Sequence, residues 1–198
     1  MKLVSCLLLV TVSIVNLASA QDTEYKKAKV SFRDFQELVV EVEKHREARL
    51  IDLDTFLKMS REPNVIVLDT RSDFRYERIH IKGAKHLAFT DFTQGNLENV
   101  IPSPETKILI YCNNNFEGDE VDFASKAFDP KRAASTAKMS QIAQQEKPRT
   151  LALNIPSYIN LFGYGYREVY ELDELVNVDD PRIEFEGTIV KKSASKAR

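Results

Sequence analysis

The chain has too few cysteines to brace itself covalently. Two occur in 198 residues, Cys6 and Cys112, and Cys6 lies in a stretch that reads as removable. The working chain then carries one thiol and no internal disulfide. A Cys-x-x-Cys redox pair is also missing, because Asn115 stands where the second cysteine belongs. There is no basic surplus: 28 Lys and Arg face 30 Asp and Glu, so no nucleic-acid partner is expected. The three histidines, His45, His80 and His86, lack close ligand spacing, which argues against a zinc site. Asn113, Asn115, Glu117 and Gly118 imitate the start of an EF-hand loop, but the twelfth position is Ala124. Neither a metal nor a cofactor is therefore expected. Beyond the first twenty residues no segment is apolar enough to span a bilayer, and no internal repeat is visible.

Those first twenty residues read as a secretory signal peptide. Lys2 gives a positive start, Leu3 to Val15 is mostly apolar, and Ala18-Ser19-Ala20 is a small-residue cleavage site. Left uncleaved, the stretch would act as an anchor, though it is short of the roughly 20 residues a comfortable span needs. Cleavage leaves about 178 residues and a formal charge of about −3, enough for one domain with its own core. The protein is expected to be exported, periplasmic or secreted, with no membrane contact once cleaved. An exported chain usually pairs or avoids cysteine. A single unpaired one points to a reactive thiol or to an inert buried one.

Residues 21–46 read as a leader and a helix. Ser31-Phe32-Arg33-Asp34 resembles a capping box, and Phe32, Phe35, Leu38, Val39 and Val42 follow at helical spacing. Ile51 to Ser60 is a second short helical stretch with Phe56 and Leu57 inward. Continuous apolar runs mark strands at Val65–Leu68 and Ile108–Tyr111, with weaker ones at His86–Phe89 and Val169–Tyr170. Asn154 is placed as a helix cap, with Pro156 in the first turn and the helix ending near Gly163. Arg182 to Phe185 is an edge-strand candidate. Strands alternating with helical patterns predict an α/β domain with a parallel sheet covered by helices on both faces. Residues 127–149, rich in Lys, Arg, Gln, Ser and Ala, read as an exposed insertion, partly helical around Ala133 to Gln145. Residues 188–198 read as a basic tail.

Two stretches carry the chemistry. The first is Val65-Ile66-Val67-Leu68-Asp69-Thr70-Arg71, followed by Glu77-Arg78-Ile79-His80-Ile81-Lys82-Gly83-Ala84. The second is Ile108-Leu109-Ile110-Tyr111-Cys112, with Gly165-Tyr166-Arg167-Glu168-Val169-Tyr170-Glu171-Leu172 downstream. Together they resemble the rhodanese family of sulfurtransferases. Members show a strand ending in Asp-x-Arg, a His-Ile-x-Gly-Ala segment, a later strand ending in the catalytic cysteine, and a Gly-aromatic-x-x-Val-Tyr-x-Leu strand. The resemblance implies a rhodanese-like domain over residues 47–187 with about five parallel strands.

It also implies a sulfur relay. Cys112 would be the nucleophile and transient persulfide carrier. The backbone of Asn113, Asn114, Asn115, Phe116, Glu117 and Gly118 would cradle the sulfur, and Asp69 and Arg71 would shape the edge of the site. Activation of a thiolate needs a depressed pKa, and backbone N–H groups converging at a helix start can supply it. A helix over Asp119–Phe128 is expected to provide that start. The loop departs from the family in carrying Glu117, Asp119 and Glu120, which would repel an anionic donor such as thiosulfate. A neutral, cationic or protein-bound sulfur donor fits that loop better, with a protein persulfide or thiol as acceptor. A rhodanese-type phosphatase would need Cys-x5-Arg, and position 118 is Gly. The rival to a sulfurtransferase is a non-catalytic module that keeps the fold and binds an exported partner protein.

Overall fold

The computed structural model describes residues 26–129 and 149–190. The expected signal peptide, most of the basic tail and the centre of the insertion lie outside these residues. The chain divides into two units, residues 1–31 and residues 32–198. The described part of the first, residues 26–31, carries no helix or strand.

In the second unit the elements follow in the order α1 (Phe32–Glu47), β1 (Leu50–Ile51), α2 (Leu53–Met59), β2 (Val65–Asp69), α3 (Asp73–Arg78), β3 (His80–Ile81) and β4 (Lys85–His86). They continue with α4 (Gln94–Val100), β5 (Lys107–Tyr111), β6 (Phe116–Glu117), β7 (Ala127–Phe128), β8 (Arg149–Thr150), α5 (Asn154–Gly163), β9 (Val169–Leu172), β10 (Val176–Asn177) and β11 (Phe185–Glu186). Five strands make one sheet in the order β1-β9-β5-β2-β4, every neighbouring pair parallel. This is the α/β architecture that the alternating pattern predicts, and it is consistent with the rhodanese-like fold.

Period-two alternation splits the core between the two faces. On β5, Leu109 and Tyr111 join one cluster with Leu53 and Phe56 of α2. Ile108 and Ile110 join the other, with Val42 of α1, Leu97 of α4 and Leu161 of α5. Because both faces are covered, the strand reads as an unbroken apolar run. The expected helix at Ile51–Ser60 starts two residues later, since Leu50–Ile51 pairs with Glu171–Leu172 as an edge strand. Asp52 then caps α2, its side chain accepting the Thr55 N–H at 2.8 Å. Beyond β4 the expected His86–Phe89 strand turns into a short 3₁₀ helix at Phe89–Asp91.

Helix α1 differs from its expected stripe. Leu38 and Val42 face the domain, whereas Phe32, Phe35 and Val39 are exposed. The reason is where the helix docks. Its second half meets α5 and β9: His45 Nδ1 lies 2.9 Å from Tyr158 Oη, and Arg46 forks onto the buried Glu171 carboxylate at 2.6 and 2.7 Å. The approach is close at Gly163, where an added Cβ would stand 2.9 Å from Leu38 Cδ2 and push that leucine end aside.

Leu109 is fully buried in the central strand. Leu109→Ala is expected to cost about 2–5 kcal/mol, read as a shift in the chemical denaturation midpoint with an unchanged slope.

Candidate functional site at the carboxyl edge of the sheet

Parallel sheets gather their chemistry where the strands end. The register pairs Asp69 of β2 with Tyr111 of β5, so Thr70, Arg71, Cys112 and Asn113 emerge side by side. Asp69 and Arg71 form a buried ion pair. Arg71 Nε donates to both Asp69 carboxylate oxygens at 3.0 Å, and Nη2 donates to Oδ2 at 2.7 Å and to the Ile79 carbonyl at 2.6 Å. Tyr111 Oη donates to Asp69 Oδ2 at 2.5 Å and accepts the Ile81 N–H at 3.1 Å. The guanidinium lies over the Phe123 and Tyr111 rings at 4.7 and 5.5 Å. Burial would lower the Arg71 pKa, but its hydrogen-bonded Asp69 partner outweighs this and moves it up. Burial, helped by the Asp69 charge, pushes the Tyr111 hydroxyl well above its ordinary value. Arg71 Nη1 makes only a long 3.4 Å contact with Asn113 Oδ1, and Cys112 lies within its electrostatic reach.

Cys112 is free and fully buried, at 0% exposure. The chain after it winds into one 3₁₀ turn, Asn113–Asn115, and then into β6, which pairs with β10. The Asn115 N–H bonds to the Cys112 carbonyl at 3.1 Å, and the Phe116 N–H bonds to the Asn113 carbonyl. The Asn115 amide thus faces both the Cys112 carbonyl and the Cys112 side chain in a capping box, while the Phe116 amide is engaged by a carbonyl oxygen. Asn115 is a hub. Its Oδ1 accepts the Cys112 N–H and Asn154 Nδ2, both at 2.9 Å, and its Nδ2 donates to the Leu172 and Glu174 carbonyls. Phe116 turns into the core against Tyr111, Phe123 and Phe185. Asn114 Oδ1 accepts the Lys126 N–H at 2.9 Å. Glu117 points to solvent, and Gly118 turns the chain at φ +93°, a conformation that favours glycine.

The helix expected over Asp119–Phe128 does not form. A single turn stands there, closed by Asp119 Oδ1 on the Val121 and Asp122 amides and by the Phe123 N–H on the Asp119 carbonyl. Tertiary pairing overrides the helical pattern. Asp122 is drawn inward to a bidentate ion pair with Arg78, with Arg75 3.6 Å away, while Phe123 enters the core. The Arg78 pair holds the Asp122 carboxyl below its ordinary pKa despite burial. Arg75 and Arg78 are thus anchors for the loop after Cys112. The cap expected at Asn154 sits one residue earlier, at Leu153. Asn154 instead joins the Asn115 hub, and its Oδ1 is buried without a hydrogen-bond partner.

Beside this closed thiol lies a cleft of about 390 Å³, lined by Thr70, Arg71, Ser72, Arg75, Asn113 and Lys126 among others. It carries three cationic side chains and several hydroxyls. Neither Cys112 nor Glu117, Asp119 or Glu120 is among its lining residues, so the acids expected to repel an anion do not face it. Residues flanking both ends of the insertion reach this cleft. Lys126 and Leu153 line it, and β7 pairs antiparallel with β8 between them. The helical pattern of 133–145 lies outside the described residues. Tyr111, Asp122 and Asn154 went unremarked as site residues in the sequence, because their roles depend on partners 42, 44 and 39 positions away. Among the described residues no cluster of His, Cys, Asp and Glu could hold a metal.

Comparison with known families matches residues 52–174, more than half of the chain, to the rhodanese-like domain. No curated protein matches. Among solved structures, the BH2092 protein from Bacillus halodurans aligns over 78% of this chain and 88% of its own, at 17% identity and a TM-score of 0.42. A cysteine-to-serine form of EanB in complex with hercynine aligns over 63% of this chain, at 17% identity and a TM-score of 0.35. That match spans 24% of the EanB chain.

Two outcomes follow from the site. Tyr111 has a folded-state pKa above its unfolded value of about 10. Its contribution is therefore complete below that pH and is lost as pH rises beyond it. Tyr111→Phe should cost about 1–3 kcal/mol at neutral pH, yet show a shallower stability decline above about pH 10, measured by urea denaturation across pH. Asn115→Ala should destabilise by roughly 1–3 kcal/mol. By loosening the turn it should also speed alkylation of Cys112 by about tenfold.

Proposed function

The chain belongs to the rhodanese-like domain family, and from that membership we propose that it acts as a binding module. Its cleft at the carboxyl edge of the sheet receives an anionic group, while Cys112 is held shut beside it. One observation carries this reading: the thiol is completely buried, yet an open cationic cleft lies one residue away at Asn113. A sulfur carrier needs its sulfur to meet donor and acceptor in turn. The complete burial of the thiol beneath the Asn113–Asn115 turn supports a closed route. The amino-terminal sequence supports an exported setting for the ligand or partner.

A second reading, sulfur transfer through a persulfide on Cys112, is favoured by a different observation. The thiol stands at the end of the central strand, within reach of the buried Arg71 cation. In that reading the thiolate takes a sulfane sulfur from a donor, which leaves with its bonding pair, and a second thiolate removes the sulfur from Cys112. The anion-compatible lining supports an anionic donor there, against the expectation drawn from the acidic loop.

Mass spectrometry separates the two. Native protein incubated with thiosulfate, polysulfide and glutathione persulfide should gain no adduct of about 32 Da, the mass of one sulfur atom. Iodoacetamide should label native Cys112 at least about 100-fold more slowly than it labels the unfolded chain. A sulfur adduct that forms on native protein and disappears in Cys112→Ser would overturn the binding reading in favour of transfer.

A further inference from the structure

Helix α1 precedes the family's matched residues, 52–174, and is held to the domain at two neighbouring points. One is the ion pair of Arg46 with Glu171. The other is His45, half-buried, its ring edge-on to Tyr158 and Phe162 of α5 at 5.9 and 4.9 Å. Tyr158 Oη donates its one proton to the Val169 carbonyl at 2.9 Å. It therefore accepts from His45 Nδ1, 2.9 Å away. Burial raises the Tyr158 pKa, so this hydroxyl stays protonated. The neutral imidazole that fits here carries its hydrogen on Nδ1, and a further proton goes to Nε2.

The surroundings resist that further proton. Arg46 follows on the same helix and Arg49 just beyond it. Arg167 arrives from the turn before β9, its guanidinium over the Phe162 ring at 3.7 Å. Arg49 Nε is buried with no hydrogen-bond partner among the described residues. The nearby acids are already committed. Glu171 is forked by Arg46. Glu168 meets Arg49 at 3.6 Å and accepts the Tyr170 hydroxyl at 2.8 Å. Burial first, then the Arg49 and Arg167 charges, holds the His45 imidazole below its ordinary pKa, against weaker pulls from the Arg167 carbonyl and Glu168.

We propose that His45 is a pH-sensitive latch: neutral, it holds the second half of α1 on α5 and β9, and protonated, it loosens that hold. Undocked, the ring takes a proton near the ordinary histidine value of about 6.5. Docked, it resists. The hold is therefore complete above about pH 6.5 and declines as pH falls towards the docked ring's own value. Release brings the buried Val42 to water. None of these groups lines the cleft beside Cys112, so the latch depends on neither reading of that site.

Hydrogen exchange on the whole chain tests this, with each rate corrected for the intrinsic effect of pH. Between about pH 7.5 and about pH 5 the protection of the α1 amides should fall at least about threefold, while that of β5 stays constant. The His45 ring, followed by NMR, should titrate below about 6.5. His45→Gln keeps a donor for Tyr158 but cannot titrate, so its α1 protection should not vary with pH. Arg49→Gln leaves the latch in place, removes a cation and frees Glu168, and should shrink the fall to less than about twofold. If His45→Gln fails to dock α1 at any pH, the Arg49→Gln comparison and the ring titration decide. Flat α1 protection across this range, a fall that persists in full in both variants, or a ring titrating at or above about 6.5 would each overturn the proposal.

Discussion

The carboxyl edge of the sheet is organised around one buried charge pair. Asp69 and Arg71 are two residues apart and both inaccessible to water. Removing two charges from water is costly, so such a pair persists only when its remaining donors and acceptors are satisfied. The surroundings meet that demand. Tyr111 donates to the carboxylate, the Ile79 carbonyl accepts from the guanidinium, and two aromatic faces bracket it. This network joins the ends of β2 and β5 to the α3–β3 connection. It fixes where Cys112 and Asn113 can sit, and it sets the buried Arg71 beside the cleft. Residues that would form a simple surface ion pair elsewhere thereby become the frame on which the site is mounted.

A second anchoring layer surrounds the first. Asn115 ties the end of β5 to the segment after β9 and to the first turn of α5. Arg78 and Asp122 pull the following loop back against α3. The result is a stretch after the cysteine whose polar groups mostly bond to one another. That inward commitment leaves a cleft open beside a fully buried thiol.

Much of the fold was legible because it rests on local pattern. The unbroken apolar runs of β2 and β5 suit strands buried on both faces, and Phe56 of the second helical stretch points inward as expected. The Asp-x-Arg and Cys112 positions fall at the carboxyl edge of the sheet for the same reason, as they follow directly on those runs. What escaped was set at long range. The helical pattern after Gly118 lost to the pull of Arg78 on Asp122 and of the core on Phe123. The stripe on α1 is only half used, because docking is decided by α5 and by Gly163, far along the chain. The acidity of the loop after Cys112 was read correctly as composition. That Glu117, Asp119 and Glu120 lie outside the cleft lining is a matter of tertiary placement that composition does not carry.

The pairing of Ala127–Phe128 with Arg149–Thr150 has a bearing on how this protein can change. With both feet clasped together beside the cleft, the intervening stretch can grow or shrink without straining the sheet, because closure entropy rises only logarithmically with loop length. The length of that stretch can therefore drift by insertion and deletion while the domain beneath keeps its stability.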